Sequence, residues 1–136
     1  MPAQPQVELI RAARLSARAP YAYASVARDC SRLVFTAGAC PLNGSGETVA
    51  PGDYAAQAEQ AMANLRVALD AAGARLEDVV KTTVYVASSD QQDLRVAWEV
   101  VRRHFGEHDA PSTLLGVAVL GYSDQLVEVE AVAALP

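Results

Sequence analysis

The sequence predicts an α+β fold in which two helices pack on one face of a mixed β-sheet. Two segments carry apolar residues at helical spacing, whereas the other apolar segments are short and bounded by turn residues. They follow one another as strands, helix, strand, helix and strands, without internal repeats or low-complexity linkers. With 136 residues, of which 51% are hydrophobic, the chain is predicted to form a single domain over residues 1–136.

The first third of the chain is predicted to hold strands. Residues 7–15 and 21–27 read as short strands, and the second leads into the segment LVFTAG at 33–38. Asn43-Gly44-Ser45-Gly46 then predicts a turn or a flexible loop, because Asn and Gly tolerate the left-handed backbone conformation.

The first helix is predicted from about Tyr54 to Ala72. Asp53 is suited to the N-cap, and Gly73 is suited to the left-handed position that ends a helix. The apolar stripe of this helix consists of Ala58, Met62, Leu65 and Leu69.

The second half contains one more helix between strands. Residues 79–87 (VVKTTVYVA) are predicted as a strand because β-branched residues alternate there. A second amphipathic helix is predicted over 93–105, closed by Gly106. The segments STLLGVAVL (112–120) and LVEVEAVAAL (126–135) are predicted as strands joined by a turn at 121–124. Because these last strands are so apolar, the uncovered sheet face predicts self-association, although composition does not distinguish a dimer from a trimer.

Composition restricts the partners and the compartment. The net charge of −5 and the single lysine, Lys81, argue against a nucleic-acid partner, since phosphate contacts need clustered Lys and Arg. No run of eighteen uncharged apolar residues predicts a membrane span, and the N-terminus lacks a signal-peptide pattern. Cys30 and Cys40 are expected to be free thiols in a reducing compartment, so a cytoplasmic location is predicted.

Five ordered blocks together carry a family resemblance. They are LVFTAGACPLN (33–43), AGARLEDVVKTTVYV (72–86), HFGEH (104–108), PST (111–113) and LVEVEAVA (126–133). In combination they are specific, and they cover nearly the whole chain from Ala19 to Ala133. The sequence resembles the RidA/YjgF family of small trimeric imine and enamine deaminases. The resemblance implies a chorismate mutase-like sandwich, a homotrimer, small-molecule pockets between subunits and no cofactor.

The resemblance also implies a set of site residues. Glu128 matches the glutamate that orients the attacking water, and Tyr21, in Pro20-Tyr21, matches an aromatic residue at the pocket mouth. Gly38 is retained from the family's serine-glycine pair, whereas Ala37 replaces the serine. The remaining matched positions are Trp98, where the family has an asparagine, Ser112 at the start of a strand, and Pro111, where it has a carboxylate-binding arginine.

Imine hydrolysis needs a water placed against the C=N carbon and a group that accepts its proton. Glu128 is the candidate for both tasks. The competing interpretation is a solvated carboxylate on the exposed face of an edge strand, because Glu128 and Glu130 alternate with apolar residues. Trp98 has a similar alternative, since a tryptophan in a helical apolar stripe is usually part of the core.

Loss of the family arginine leaves two hypotheses about the ligand. Proline offers no donor for a carboxylate, so an imino acid would need another cation, and Arg14, Arg18, Arg28 and Arg32 lie close in sequence to the Tyr21 and Ala37 blocks. Arg18 is the preferred candidate, and the competing interpretation is a solvated surface arginine. Alternatively, the ligand lacks a carboxylate, and Ala37, Trp98 and Leu114 line a more apolar site.

Other motifs predict no further chemistry. His104 and His108 are separated by Gly106 and lack accompanying ligands, so no metal site is predicted. Cys40 has no neighbouring histidine in the sequence to activate it and is expected to be an unreactive or merely oxidisable thiol.

Three function classes follow. The first is a hydrolase of reactive imines or enamines with an altered substrate, and the second is a non-catalytic trimeric protein that binds or senses a small molecule. The third is a nuclease or translation inhibitor. The acidic charge weighs against the nuclease.

Overall fold

The computed structural model describes residues 6–136, so residues 1–5 of the predicted domain lie outside the described residues. Its strands and α-helices, in chain order, are β1 (Val7–Ile10), β2 (Ala24–Ala27), β3 (Arg32–Phe35), α1 (Tyr54–Ala71), β4 (Val79–Ala87), α2 (Gln91–Phe105), β5 (Ser112–Val117) and β6 (Val127–Leu135).

The strands form two sheets. A four-stranded sheet has the order β3-β6-β4-β5, and a two-stranded sheet pairs β1 with β2. Strands β4 and β5 are parallel and are connected through α2, whereas the other pairs are antiparallel. The predicted α+β fold with a mixed sheet and two helices is therefore confirmed.

The helices begin and end close to their predicted bounds because their caps are explicit in the sequence. The Asp53 side chain accepts a hydrogen bond from the Ala56 N–H at 2.9 Å, and Gly73 follows α1 with a φ of 81°. Helix α2 begins two residues before the predicted Asp93, because Asp90 supplies its N-cap. Gly106 ends it with a φ of 59°.

Three strands are shorter than predicted. Segment 7–15 is extended only as far as Ile10, and segment 21–27 only from Ala24, because these two residues are the last pair in the β1–β2 register. Segment 112–120 stops at Val117, where its partner β4 also ends at Ala87. Each strand therefore extends only where a neighbouring backbone offers hydrogen bonds.

The large sheet has two unlike faces. Alternate residues of β4 and β6 form the core against the helices, and the side chains of Val84, Val86, Val127 and Val129 are fully buried there. We call this side the helix face. The opposite side, the open face, carries Phe35 at 72% exposure and Leu33 at 59%. Within residues 6–136, no helix is both long enough and apolar enough to span a membrane.

Candidate functional site

Glu128 lies on a central strand. In the β4–β6 register it is opposite Tyr85, and it alternates with the buried residues Val127 and Val129, so it belongs to the open face. Strand β6 has β3 on one side and β4 on the other. The alternative interpretation of Glu128 as an edge-strand residue is therefore wrong, because the edges of this sheet are β3 and β5.

Two side chains hold one oxygen of the Glu128 carboxylate. Its Oε1 accepts a hydrogen bond from Gln125 Nε2 at 3.2 Å and another from the Cys40 thiol at 3.3 Å. Gln125 is only 4% exposed, and its Nε2 also donates to the Val127 carbonyl. The donors that residues 6–136 present to this carboxylate all contact Oε1, so Oε2 has no hydrogen-bond donor among these residues.

Gly38 makes room for the Glu128 carboxylate. The backbone hydrogen bonds of Thr36 to Ala131 and of Ala39 to Val129 leave two residues, Ala37 and Gly38, opposite Glu130 alone. A Cβ at position 38 would lie 2.1 Å from Glu128 Oε2, closer than two such atoms ever approach. We call Gly38, Cys40, Gln125 and Glu128 the glutamate cluster.

Cys40 is a hydrogen-bond donor in this cluster. Burial, together with the hydrogen bond to the Glu128 carboxylate, raises the pKa of its thiol from 9.0 to about 11. The thiol is therefore protonated at neutral pH, which agrees with the expectation that it is not a nucleophile. Sequence reasoning missed the contact between this thiol and Glu128.

Glu130, the next residue of β6 on the open face, has a different partner. Its Oε1 accepts a hydrogen bond from the Tyr85 hydroxyl at 2.6 Å, and this bond raises the pKa of Tyr85 above its ordinary value. The two carboxylates are thus distinguished by their neighbours. Glu130 binds a hydroxyl on β4, whereas Glu128 faces the bulge at Gly38.

Three of the predicted ligand-binding residues meet in a separate cavity. Tyr21, Trp98 and Ser112 line a cavity of about 480 Å³ together with Pro20, Thr113 and Leu114, which we call the aromatic cavity. The rings of Tyr21 and Trp98 are in edge-to-face contact with centroids 6.2 Å apart. Trp98 is half-buried and also packs against the core, so its predicted core role and its predicted cavity role are compatible.

Pro111 holds the edge of the aromatic cavity through its backbone. Its carbonyl accepts the Thr82 N–H at 3.0 Å, and the Ser112 hydroxyl makes a close hydrogen bond with the Thr82 hydroxyl. These contacts fix the start of β5 against β4. They supply no positive charge at the position where the family arginine would stand.

The two groups of candidate residues lie on opposite faces of the sheet. Ser112 and Leu114 pair with the buried residues Thr82 and Val84, so they point to the helix face, at the edge strand β5. Glu128, Gly38 and the exposed Ala37 lie toward the open face and β3. One chain therefore does not bring Glu128 and the aromatic cavity together.

Arg18 lies in a third place. It lines a cavity of about 660 Å³, which we call the arginine cavity, and which shares Pro20 and Tyr21 with the aromatic cavity. Arg18 is therefore a neighbour of the aromatic cavity without lining it.

The two histidines have separate partners. His104 Nε2 lies 2.7 Å from a Glu59 oxygen, and His108 Nε2 lies 2.8 Å from the Val79 carbonyl. Over residues 6–136 no group of three or more His, Cys, Asp or Glu side chains is arranged to hold a metal ion.

Comparison with known proteins covers almost the whole chain. Residues 11–135 match the family described as Endoribonuclease L-PSP. The chain is similar to 2-iminobutanoate/2-iminopropanoate deaminase of Escherichia coli K12, at 35% identity over 108 residues, which are 77% of this chain and 81% of that protein.

Two solved structures show that backbone similarity and sequence identity to this chain do not run in parallel. The Rid-family protein YyfB of Yersinia pestis, described as of unknown function, has a TM-score of 0.85 at 28% identity and covers 96% of this chain and 99% of its own. The YjgF gene product of E. coli has a TM-score of 0.65 at 34% identity and covers 87% of this chain and 90% of its own. The backbone is thus more similar to YyfB, although the sequence identity is higher with YjgF.

Proposed function

The chain belongs to the Endoribonuclease L-PSP family, which includes the RidA/YjgF proteins, and on that premise we propose that it hydrolyses reactive imines or enamines to a carbonyl compound and ammonia. Glu128 is the proposed catalytic residue, and the substrate differs from the short 2-imino acids because Pro111 replaces the arginine. The observation that carries the proposal is the glutamate cluster, in which a carboxylate is held by two donors on one oxygen and has the other oxygen free.

The geometry of Glu128 suits the proposed reaction. A water bonded to Oε2 would be oriented for attack on the C=N carbon, and the carboxylate would accept its proton as the C–O bond forms. The nitrogen leaves as ammonia after receiving a proton from the carboxyl group or from solvent. Gln125 and Cys40 favour this arrangement because they bind Oε1 and so restrict rotation of the carboxylate.

The site is proposed to be completed between subunits of a homotrimer. Glu128 lies on the open face, whereas Tyr21, Trp98 and Ser112 line a cavity on the other side of the edge strand β5. A neighbouring chain packed on the exposed residues Leu33 and Phe35 would cover the open face and would allow the two groups to meet across the interface.

A non-catalytic protein that binds a small molecule in this pocket is the second candidate. The absence of a guanidinium group at position 111, which is Pro111 in this chain, favours it. A nuclease is not proposed despite the family's description, because the net charge is −5 and the chain has one lysine.

Free thiols at Cys30 and Cys40 support a cytoplasmic location.

The decisive experiment is ammonia release from imines generated in situ by an amino-acid or amine oxidase, with and without a carboxylate on the imine. We expect the wild type to accelerate release and Glu128→Gln to lose about 100-fold or more of that acceleration. Glu130→Gln, altered two residues away on the same face, is the matched control and should keep the rate. Light scattering should give the mass of three chains. No acceleration of any imine would exclude the deaminase and leave the binding protein.

A further inference from the structure

The arginine cavity differs in charge from the rest of the molecule. The net charge of the chain is −5, yet three arginines, Arg11, Arg18 and Arg102, line this cavity beside a single carboxylate, that of Asp109. The carboxylate is engaged, because Asp109 forms an ion pair with Arg11. The residues that line the cavity therefore carry an excess of positive charge, which Arg18 and Arg102 contribute.

The two remaining arginines are unequally paired. Over residues 6–136 no carboxylate lies within 4.0 Å of Arg18, whereas Arg102 is 3.7 Å from Glu99 in a pair that is half exposed on both sides. An exposed pair of this kind contributes little to stability and is readily exchanged for a better partner. Both guanidinium groups can therefore bind an anion from solution.

The loop that carries Arg18 is anchored at several points. Ala22 donates its N–H to the Asp109 carbonyl at 2.8 Å, and the Tyr23 hydroxyl donates to the Ser16 carbonyl at 2.5 Å. The Arg18 N–H itself donates to the Ser16 hydroxyl. These bonds hold the guanidinium-bearing segment in place beside Tyr21, which forms part of both cavities.

From this arrangement we infer that the two cavities form one extended site for an apolar, preferably aromatic, carboxylate. Its carboxylate binds Arg18 and Arg102, and its apolar portion lies against Trp98 and Leu114. The inference rests on the proposed function in taking the aromatic cavity as the ligand pocket, and it adds the substrate class. No cation is then needed at position 111, because the anion binds in the arginine cavity, which Pro111 does not line.

The volumes support a ligand larger than a short imino acid. The cavities measure about 480 and 660 Å³, each within the range of about 300–1,000 Å³ that is usual for pockets holding drug-sized ligands. A molecule with the few heavy atoms of an iminobutanoate would fill only a small part of this space. An aryl group beside Trp98 and Tyr21 would also gain favourable ring contacts.

The fluorescence of Trp98 reports ligand binding at this site directly, because Trp98 is the one tryptophan of the sequence. Titration of its fluorescence with 3-phenylpropanoate and with its uncharged isostere 3-phenylpropanamide should show that the carboxylate binds about tenfold more tightly. Equal affinity for both compounds would overturn the inference. So would the absence of any change up to ~10 mM, well above a millimolar Kd.

Variants then locate the carboxylate. We expect Arg18→Gln and Arg102→Gln each to reduce the preference for the acid over the amide by about threefold or more, with amide binding unchanged. Arg14→Gln, in the same loop but outside the cavity lining, is the control and should keep the preference. All three positions are exposed, so the variants should fold. An unchanged preference in both cavity variants would place the anion elsewhere.

The binding test and the catalytic test fail separately. Selective acid binding by a protein that releases no ammonia would support the extended site and reject the deaminase. Ammonia release from a carboxylate-free imine, with no acid preference in binding, would support the deaminase and reject the extended site.

Discussion

The glutamate cluster and the aromatic cavity are built in different ways. In the cluster each polar group has a defined neighbour, and Gly38 is required because the carboxylate occupies the space of its Cβ. The cavity is lined by two aromatic rings, a proline, a leucine and the residues Ser112 and Thr113, and it adjoins the arginine cavity. Under the proposed function, the cluster would supply the reactive carboxylate and the cavity would bind the substrate.

The strongest test of this contrast is Gly38→Ala. The added methyl group would meet Glu128 Oε2 at 2.1 Å and would displace the carboxylate, so we expect a loss of about 100-fold or more in imine hydrolysis. The control is Gly44→Ala, where a Cβ would have no neighbour within 4 Å. Full activity of the Gly38 variant would show that the carboxylate position is irrelevant to the rate.

The next effect concerns the support of β6 from the helix face. Gln57 is fully buried, and its side chain donates to the Asp124 carbonyl at 2.9 Å and accepts the Leu126 N–H at 2.7 Å. Gln57→Leu would leave both backbone groups unpaired, and we expect a loss of about 2–3 kcal/mol in the free energy of unfolding. Urea denaturation of the wild type and the variant measures this difference in the free energy of unfolding.

Gln60→Leu provides the comparison on the same helix. The Gln60 amide donates to the Asn64 side chain one turn away, so its loss should cost less than about 1 kcal/mol. Equal losses in the two variants would mean that Gln57 does not anchor the segment before β6.

A smaller effect is expected on the recognition side from Pro111→Arg. The guanidinium would restore a carboxylate partner at this position, and we expect hydrolysis of 2-iminobutanoate to rise about tenfold relative to a carboxylate-free imine. Pro111→Ala removes the ring without adding charge and should leave that ratio unchanged. A ratio that is the same in all three proteins would show that position 111 does not contact the substrate.

The smallest effect concerns the thiol of Cys40. Its raised pKa of about 11 predicts slow alkylation by iodoacetamide at pH 8, and Glu128→Gln, which removes the negative charge, should lower the pKa and speed alkylation about threefold or more. Mass spectrometry in a Cys30→Ser background measures the rate. No change would mean that the thiol and the carboxylate are not in contact in solution.

The same pKa has a consequence for stability. Because folding raises it from 9.0 to about 11, the protonated thiol contributes fully to stability below pH 9, and this contribution is lost as the pH rises through about 11. The unfolding free energy of Cys40→Ser should therefore fall less over this range than that of the wild type.

The sequence predicted local structure more fully than long-range pairing. Asp53, Gly73 and Gly106 define helix ends by short-range bonds, so the helix bounds were predicted to within two residues. The predicted length of β1 is wrong. The strand ends where β2 no longer offers a pairing partner, and nothing in residues 7–15 indicates that end point. The central place of β6 depends on pairing with β3 and β4 and was likewise not foreseen.

The candidate site shows the same contrast between features that the sequence predicts and contacts between distant residues that it does not. Family blocks identified Glu128 and Gly38, and the structure places them in contact. The sequence predicts for Cys40 an unreactive or merely oxidisable thiol and does not predict its contact with Glu128, because this hydrogen bond joins it to a distant strand and leaves no periodic signal. Gln125 is only three residues from Glu128, but it lies in the segment before β6, where no pattern marks its side chain. The position of Cys40 two residues after Gly38 was the one available indication.

The central position of β6 affects how the protein is made. Residues of β3 pair with residues about 100 positions later, Arg32 with Leu135 and Phe35 with Val132, and β4 pairs with the same strand on its other side. During synthesis, β3 and β4 therefore lack β6, the strand that lies between them, until β6 has been made. A nascent chain arrested before Val127 would expose both strand edges and would lack Glu128, so folding and formation of the glutamate cluster are completed in one late step.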